Sequence, residues 1–444
     1  MRITIILLLT ALFSTALAED LPEDAWLRGQ AMNPLEGLTL IEVRLEGNQR
    51  TRDATVLREL SFFPGEVFHA EQLAEDLRFL DGLGLFLSTG ARARKVEGGV
   101  ELVLDLEERS RASNEYIYPM LDFDEELRWR AGLAYRNRNL NGNRDELRIS
   151  GTQGWEDSIR FSLLRPWVAG RPLEHFFSYS YKELDVDDVD YFRQNGGGAS
   201  ILIPLNRRRP RLHRFLLGAN VSWRIQSEEA GTWEEQFVGL SLGYFHDGRD
   251  SFIRPRCGER FGIRIDFYQP SLGSTHSLRR WSLSGSRYQS LGSFGVLAGN
   301  IQLGLQEGEL YHRMVWSLGG FNRVRGWDSA QFNGWDGNDE LGGAQGRNRA
   351  LFQVEWRGTL FGQQRWQLTR WWVLDFEGEI LLFLDGGMLW RNGLPWEEGI
   401  AGDQALGFGG GLRIYSPLGD VLRLELGINP EGGGEVHLGN VIPF

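Results

Sequence analysis

An arginine held between glycines and aromatic residues, in Gly319-Gly320-Phe321-Asn322-Arg323-Val324-Arg325-Gly326-Trp327, is where this sequence most plainly offers chemistry. A guanidinium stays charged and presents a planar fork of donors, so it asks for carboxylates to face it. Two candidates lie downstream. Around 347–360, Phe352, Val354 and Trp356 alternate with Gln353, Glu355 and Arg357; around 378–390, Ile380, Leu382, Leu384 and Met388 alternate with Glu379, Phe383, Asp385 and Gly387. In extended strands successive side chains take opposite faces. Glu355 and Asp385 therefore point to one polar side, and a loop 321–346 folded inward would set Arg325 between them.

Other chemistry finds less support. His246, Asp250 and Ser251 are close in sequence, but their spacing on a turn gives no nucleophile, base and orienting group in register, so a barrel hydrolase is the weakest alternative. The seven histidines are scattered without ligand spacing, and neither metal nor cofactor is expected. Cys257 is the sole cysteine, which excludes an internal disulfide. The net charge of -12 argues against a nucleic-acid partner. All basic residues except Lys95 and Lys182 are arginine. The run Arg207-Arg208-Arg209-Pro210-Arg211 is assigned to an outer loop, either meeting lipopolysaccharide phosphates or simply solvated.

The elements that would position Arg325 begin after an address. Residues 1–18 have a charged start, an apolar core and Ala16-Leu17-Ala18 at the end, the pattern of a secretory signal peptide. Residues 19–37, with Pro22 and Pro34, read as a linker. Residues 38–110 then read as a strand at Leu40–Leu45, helices at 52–60 and 69–80, and strands at 87–95 and 100–107.

From residue 111 to 444 the pattern changes. Leu127, Trp129, Ala131, Leu133 and Tyr135 alternate with arginines and small residues, and the same alternation recurs through Leu422, Leu424, Leu426 and Ile428. Apolar residues on one face and charged ones on the other, with 57 glycines and 16 tryptophans, fit a transmembrane β-barrel. Sixteen antiparallel strands are predicted, the first at 127–138, the eleventh at 312–320 and the last at 434–443. The fold class is thus mainly β: a 16-stranded barrel preceded by one small α+β domain.

The order β-α-α-β-β with Glu46-Gly-Asn-Gln-Arg-Thr51 resembles a POTRA domain, and Val324-Arg325-Gly326-Trp327 is similar to the loop tip of the BamA-type outer-membrane assembly-factor superfamily, the bacterial surface antigens. Phe383-Leu384-Asp385-Gly386-Gly387 resembles that family's F-x-D-x-G strand, and Ala350–Glu355 its strand with a lumenal glutamate. The resemblance implies a non-enzymatic outer-membrane protein with its POTRA domain in the periplasm. It implies insertion or assembly of polypeptides, with a two-partner secretion transporter as the alternative within the family; a passive pore or structural barrel is the alternative outside it. Implied partners are outer-membrane lipid and lipopolysaccharide, an unfolded or extended client at the POTRA edge and the barrel seam, and a periplasmic or lipoprotein partner. Ile442 and Phe444 would form a terminal sorting signal, with Pro443 shortening the pairing at the seam.

Overall fold

The computed structural model describes residues 26–439 apart from 125–127, 155, 186–190, 207–209, 229–230, 253, 309–315, 321, 328–346, 368–372, 391–403 and 417–419. Residues 1–18, expected to be a signal peptide, and Ile442, Pro443 and Phe444 fall outside the described residues, as does most of loop 321–346.

The small N-terminal sheet has strands β1 (Leu27–Arg28), β2 (Leu40–Glu46), β3 (Phe86–Val96) and β4 (Gly99–Glu108) in the order β1-β3-β4-β2. β3 and β4 form a hairpin across Glu97-Gly98, while β2 runs parallel to β4. A parallel neighbour needs a crossover connection. Helices α1 (Asp53–Leu57) and α2 (Ala70–Gly82) supply it, and Leu73 and Leu80 of α2 are buried with Leu40, Val56, Phe68 and Leu102.

Residues 27–35, expected to be linker, are part of this domain. Leu27 and Arg28 pair with Ala93 and Arg92, and a 3-10 helix at Gly29–Leu35 sends Met32 and Leu35 into the core. Residues three apart eclipse one another in a 3-10 helix, so two apolar anchors suffice where the sequence otherwise looks polar.

A short helix α3 (Arg111–Asn114) leads into sixteen consecutive antiparallel strands. They are β5 (Glu115–Asp124), β6 (Arg128–Leu140), β7 (Asp145–Gly154), β8 (Asp157–Arg165), β9 (Glu174–Asp185), β10 (Tyr191–Pro204), β11 (His213–Glu228) and β12 (Gly231–Asp247). The second half is β13 (Gly258–Tyr268), β14 (Leu278–Ser290), β15 (Val296–Gly308), β16 (Asn348–Gln367), β17 (Val373–Trp390), β18 (Gln404–Ser416), β19 (Asp420–Ile428) and β20 (Gly434–Gly439). The apolar face looks outward: Leu133, Leu240, Leu382, Leu422 and Leu424 are exposed, whereas Glu355, Asp385, Arg413 and Glu425 are wholly buried.

The number sixteen stands, but two strands differ from expectation. Glu115–Asp124 is the first strand, and the described part of 312–320 carries only an isolated bridge from Gly319 to Val324. β5 escapes the alternation test because both its faces are apolar: Tyr116 and Tyr118 are buried while Ile117 and Leu121 are exposed. Pro119 also suggests a break, yet proline is tolerated on an edge strand.

The shift by one strand moves every turn before β15 to the opposite rim. Turn 141–144 meets the N-terminal domain, where Thr55 Oγ1 donates to the Gly142 carbonyl at 2.8 Å and Asn139 Nδ2 to Thr51 Oγ1 at 2.9 Å. The turn carrying Arg211 is on this rim too. Arg211 Nη2 reaches Glu59 Oε2 at 3.2 Å and Arg144 Nη1 reaches Glu59 Oε1 at 3.1 Å, with the Arg211 guanidinium 4.0 Å from the Phe79 ring centroid. Arg211 is therefore not on an outer loop facing lipopolysaccharide; Arg207, Arg208 and Arg209 lie outside the described residues.

Candidate functional site

The loop between β15 and β16 opens on the rim opposite the N-terminal domain, and its tip lies inside the barrel. Three backbone bonds shape it: Val324 N–H donates to the Leu318 carbonyl, Gly320 N–H to the Trp327 carbonyl and Arg323 N–H to the Gly320 carbonyl. Apolar contacts anchor it, with Leu318, Val324 and Trp327 buried against Leu351, Leu389 and Ala405. Gly387, predicted to face the lumen, does so; a Cβ there would come within 2.7 Å of both Leu318 and Leu351.

Glycines make the berth. The inward row of β18 reads Ala405, Gly407, Gly409, Gly411, Arg413, and that of β19 reads Arg423, Glu425, Gly427. A Cβ on Gly407 would lie 1.8 Å from the Arg325 carbonyl oxygen, and one on Gly427 would lie 2.3 Å from the Gly326 nitrogen. Gly326 itself has φ of +88°, in the left-handed region that side chains disfavour. Trp327 Nε1 donates to the Leu406 carbonyl at 2.7 Å and Asn429 Nδ2 to the Gly326 carbonyl at 2.8 Å.

Within this berth the Arg325 side chain is fully buried and uses its whole fork. Nε and Nη2 donate to the two oxygens of Asp385 at 2.6 and 2.7 Å; Nη1 donates to Glu355 Oε1 and Glu425 Oε2, each at 2.8 Å. The Phe383 ring centroid is 3.5 Å from the guanidinium carbon, so the cation also has an aromatic face. The structure thus brings together Arg325, Glu355, Phe383 and Asp385, all predicted, on elements far apart in sequence.

Three further members were not predicted. Arg413 Nη1 and Nη2 donate to both oxygens of Glu355 at 2.9 and 2.7 Å, and Arg423 Nε and Nη2 donate to both oxygens of Glu425 at 2.8 and 2.7 Å. Glu425 is the third. Arg357, identified as inward-facing, adds a bond to Glu355 Oε2 at 2.9 Å. The signal for two of the missed residues was present: if Leu422, Leu424 and Leu426 face lipid, Arg423 and Glu425 must face the lumen.

This changes the expected role of the pair of carboxylates. Glu355 and Glu425 each have other arginines, whereas among the described residues Asp385 accepts hydrogen bonds from Arg325 alone, through its side chain and its backbone nitrogen. Asp385 is the carboxylate that depends on the loop. Four arginines and three carboxylates, packed almost without exposure, form a static tie: each carboxylate oxygen accepts at least one guanidinium bond, and nothing in their arrangement offers a nucleophile.

The second candidate set does not assemble. His246 Nε2 lies 3.1 Å from Glu259, Asp250 accepts from the Arg256 and Cys257 nitrogens, and Ser251 Oγ accepts from the Arg254 nitrogen. Arg254 from the same turn enters the barrel and donates to Glu379 Oε1 at 2.6 Å, tying this rim to β17.

Comparison with known proteins follows the same division of the chain. Residues 139–436 match the Omp85 superfamily domain, and residues 39–109 match the POTRA family described as a surface antigen variable number repeat. A protein of Treponema pallidum (strain Nichols), carrying the name of an outer membrane protein assembly factor, is 25% identical over 229 residues. Those residues are 50% of this chain and 26% of the relative, so the match spans about a quarter of the relative's length. Among solved structures, BamA from Haemophilus ducreyi lacking POTRA domains 1–3 aligns over 90% of this chain and 83% of its own, with TM-score 0.54 and 15% identity. CdiB from Escherichia coli aligns over 91% and 76%, with TM-score 0.58 and 14% identity. At such identities the likeness is one of fold.

Proposed function

The chain belongs to the Omp85 superfamily, and on that premise we propose that it is a non-enzymatic outer-membrane barrel that assists the insertion or assembly of polypeptides, with its POTRA domain in the periplasm. One observation carries this. The sixteen-stranded sheet begins at β5 and ends at β20, and among the described residues no ladder joins these two edges. Unpaired backbone groups at membrane depth are costly, by several kcal/mol each. An extended client strand that pairs there removes that cost, so the seam itself acts as a template. Pro119 in β5 fits an edge whose pairing is incomplete.

The client also has a place to dock before the membrane. β1 covers only Arg92 and Ala93 of β3, leaving the stretch from Phe86 to Ala91 as an edge onto which an extended peptide can add. The chain's own Leu27–Arg28 already uses the edge in this way.

Arg325 serves this function as an internal latch. It holds the loop tip against β17, β18 and β19, so the wall next to the seam keeps its shape while the seam exchanges partners. Val324 and Trp327 fix the tip by packing, Gly326 by its backbone, and Glu355, Phe383, Asp385 and Gly387 form the receiving surface.

Secretion across the membrane is the second reading, favoured by one feature. A lumenal cavity of about 520 Å³ lies beside the seam, lined by Arg130, Arg148, Arg160, Ser150, Ser178 and Asn322 among others. Purified protein in liposomes separates the two. Faster insertion of an unfolded barrel protein supports assembly, export of a soluble chain supports secretion, and steady ion conductance with neither activity supports a passive pore and overturns both.

A further inference from the structure

Above the latch, at the root of the same loop, is a second group of arginines with a different balance. The Trp316 indole lies against Gly304 on β15, where a Cβ would come within 2.4 Å of its ring. The guanidinium carbons of Arg280 on β14 and Arg349 on β16 lie 4.4 and 4.7 Å from that indole's centroid. Arg323 joins them through Ser317: it donates to Ser317 Oγ, while Arg349 Nη1 donates to the Ser317 carbonyl at 3.0 Å.

Three guanidiniums thus converge on one short segment, and among the described residues none of them has an ion pair. Asp266 stands opposite Arg280 across the β13–β14 pairing, but it is engaged by Arg264 and Ser241. Like charges gathered away from bulk water repel one another and call for a counter-ion. Donors to meet one are also free. Arg280 Nε, Arg349 Nε, Trp316 Nε1 and Gln306 Nε2 are buried and without hydrogen-bond partners among the described residues. Gln306 is only 3% exposed and pairs directly with Arg280 across β14 and β15. Buried polar groups ordinarily find partners, so four unused donors beside three unpaired cations mark a place for an acceptor.

We propose that Arg280, Arg349, Arg323, Trp316 and Gln306 form a binding site for a phosphate-type oxyanion on the lumenal wall at the loop root. An anion with several oxygens can accept from more than one of these donors, and its charge offsets the three guanidiniums. The anion is either free phosphate or the phosphate of a lipid headgroup; the two share the chemistry that the site reads. Binding there would tie β14, β15 and β16 to the first residues of the loop.

The test uses the full chain. Binding of radiolabelled inorganic phosphate to detergent-solubilised protein is measured at constant ionic strength with chloride as the balancing anion. Thermal protection is measured in phosphatidylcholine vesicles with and without phosphatidic acid. Saturable phosphate binding assigns the free ion, and protection by phosphatidic acid alone assigns the headgroup; either supports the site provided Arg280→Gln with Arg349→Gln weakens it about tenfold or more. Should that double variant fail to fold, Trp316→Phe, which removes only the indole donor and keeps the ring over the arginines, decides the matter, a severalfold loss being expected. Unchanged affinity in the variants, or the absence of both phosphate binding and lipid protection in the wild type, overturns the proposal.

Discussion

Two arginine clusters sit on the same loop and the same wall, and they differ in what faces them. Around Arg325 four guanidiniums meet three carboxylates, each oxygen matched to a donor; around Trp316 three guanidiniums have no ion pair among the described residues. Both are buried. The first is complete in itself and serves to hold, while the second has donors to spare and serves to receive. Glu59 lies between these extremes, with one carboxylate shared by Arg58, Arg144 and Arg211 at the junction of domain and barrel. The balance of charge, more than the presence of arginine, separates a tie from a site.

The comparison breaks most visibly at Arg325. Arg325→Ala should cost about 3–5 kcal/mol of loop docking, because Asp385 loses its partner while remaining buried. Protease accessibility of the loop should rise, with heat-modifiable barrel migration on gels retained; an undisturbed loop would remove the latch from the comparison. Arg325→Met combined with Asp385→Asn should be less harmful than the two single losses added together, with a coupling of about 1–3 kcal/mol in a double-mutant cycle of thermal unfolding. Additive losses would mean that the two side chains act separately.

At the domain junction the expected effect is smaller and depends on pH. Burial pushes the Glu59 carboxyl up, but the guanidiniums of Arg211, Arg144 and Arg58 outweigh it and hold the group below the usual range. A depressed carboxyl contributes stability that is present above its unfolded value of about 4.3 and is lost as pH falls through the folded value. Docking of the N-terminal domain on turn 141–144 should therefore persist at neutral pH and fall off in acid, as read by thermal unfolding across that range. Glu59→Gln should weaken it by about 1–3 kcal/mol at neutral pH and flatten the acid dependence. A wild-type contact insensitive to acid would show that Glu59 does not carry the junction.

The smallest effect should have the opposite sign. Arg280→Gln removes one of three like charges, so without phosphate it is expected to be neutral or to raise stability by up to about 1 kcal/mol. Thermal unfolding of the single variant in chloride buffer checks this. A loss comparable with that of Arg325→Ala would mean that the two clusters are built alike.

The alternation of Leu422, Leu424 and Leu426 or of Phe352, Val354 and Trp356 made the barrel legible, because lipid outside and a polar lumen inside force a period of two. β5 was illegible for the same reason, since its inner tyrosines and outer aliphatics leave no contrast between faces. One more strand ahead of the run Arg207–Arg211 reverses the side of that turn, which is why Arg211 lies on the rim of the N-terminal domain. Within the latch, Arg325, Glu355 and Asp385 could be read from residue type and parity. Parity could place Arg423 and Glu425 in the lumen, but neither they nor Arg413 could be assigned to the latch, because that choice depends on which rows pack against the loop tip. The loop root shows a harder limit: Arg280, Trp316 and Arg349 are a site only through the pairing of β14, β15 and β16.

The latch has one more consequence, in the order of events as the chain is built. Arg325 lies 60 residues from Asp385 and 100 from Glu425, and the neighbouring Gly326 N–H faces His437 on β20, 111 residues away. Such contacts must wait until the intervening chain has been placed, since closing long loops is entropically disfavoured before other contacts support them. The loop tip can seat fully only after the last hairpin has joined the wall. A seated Arg325 therefore records that the barrel has been finished, and a barrel stalled before β19 would keep its loop open.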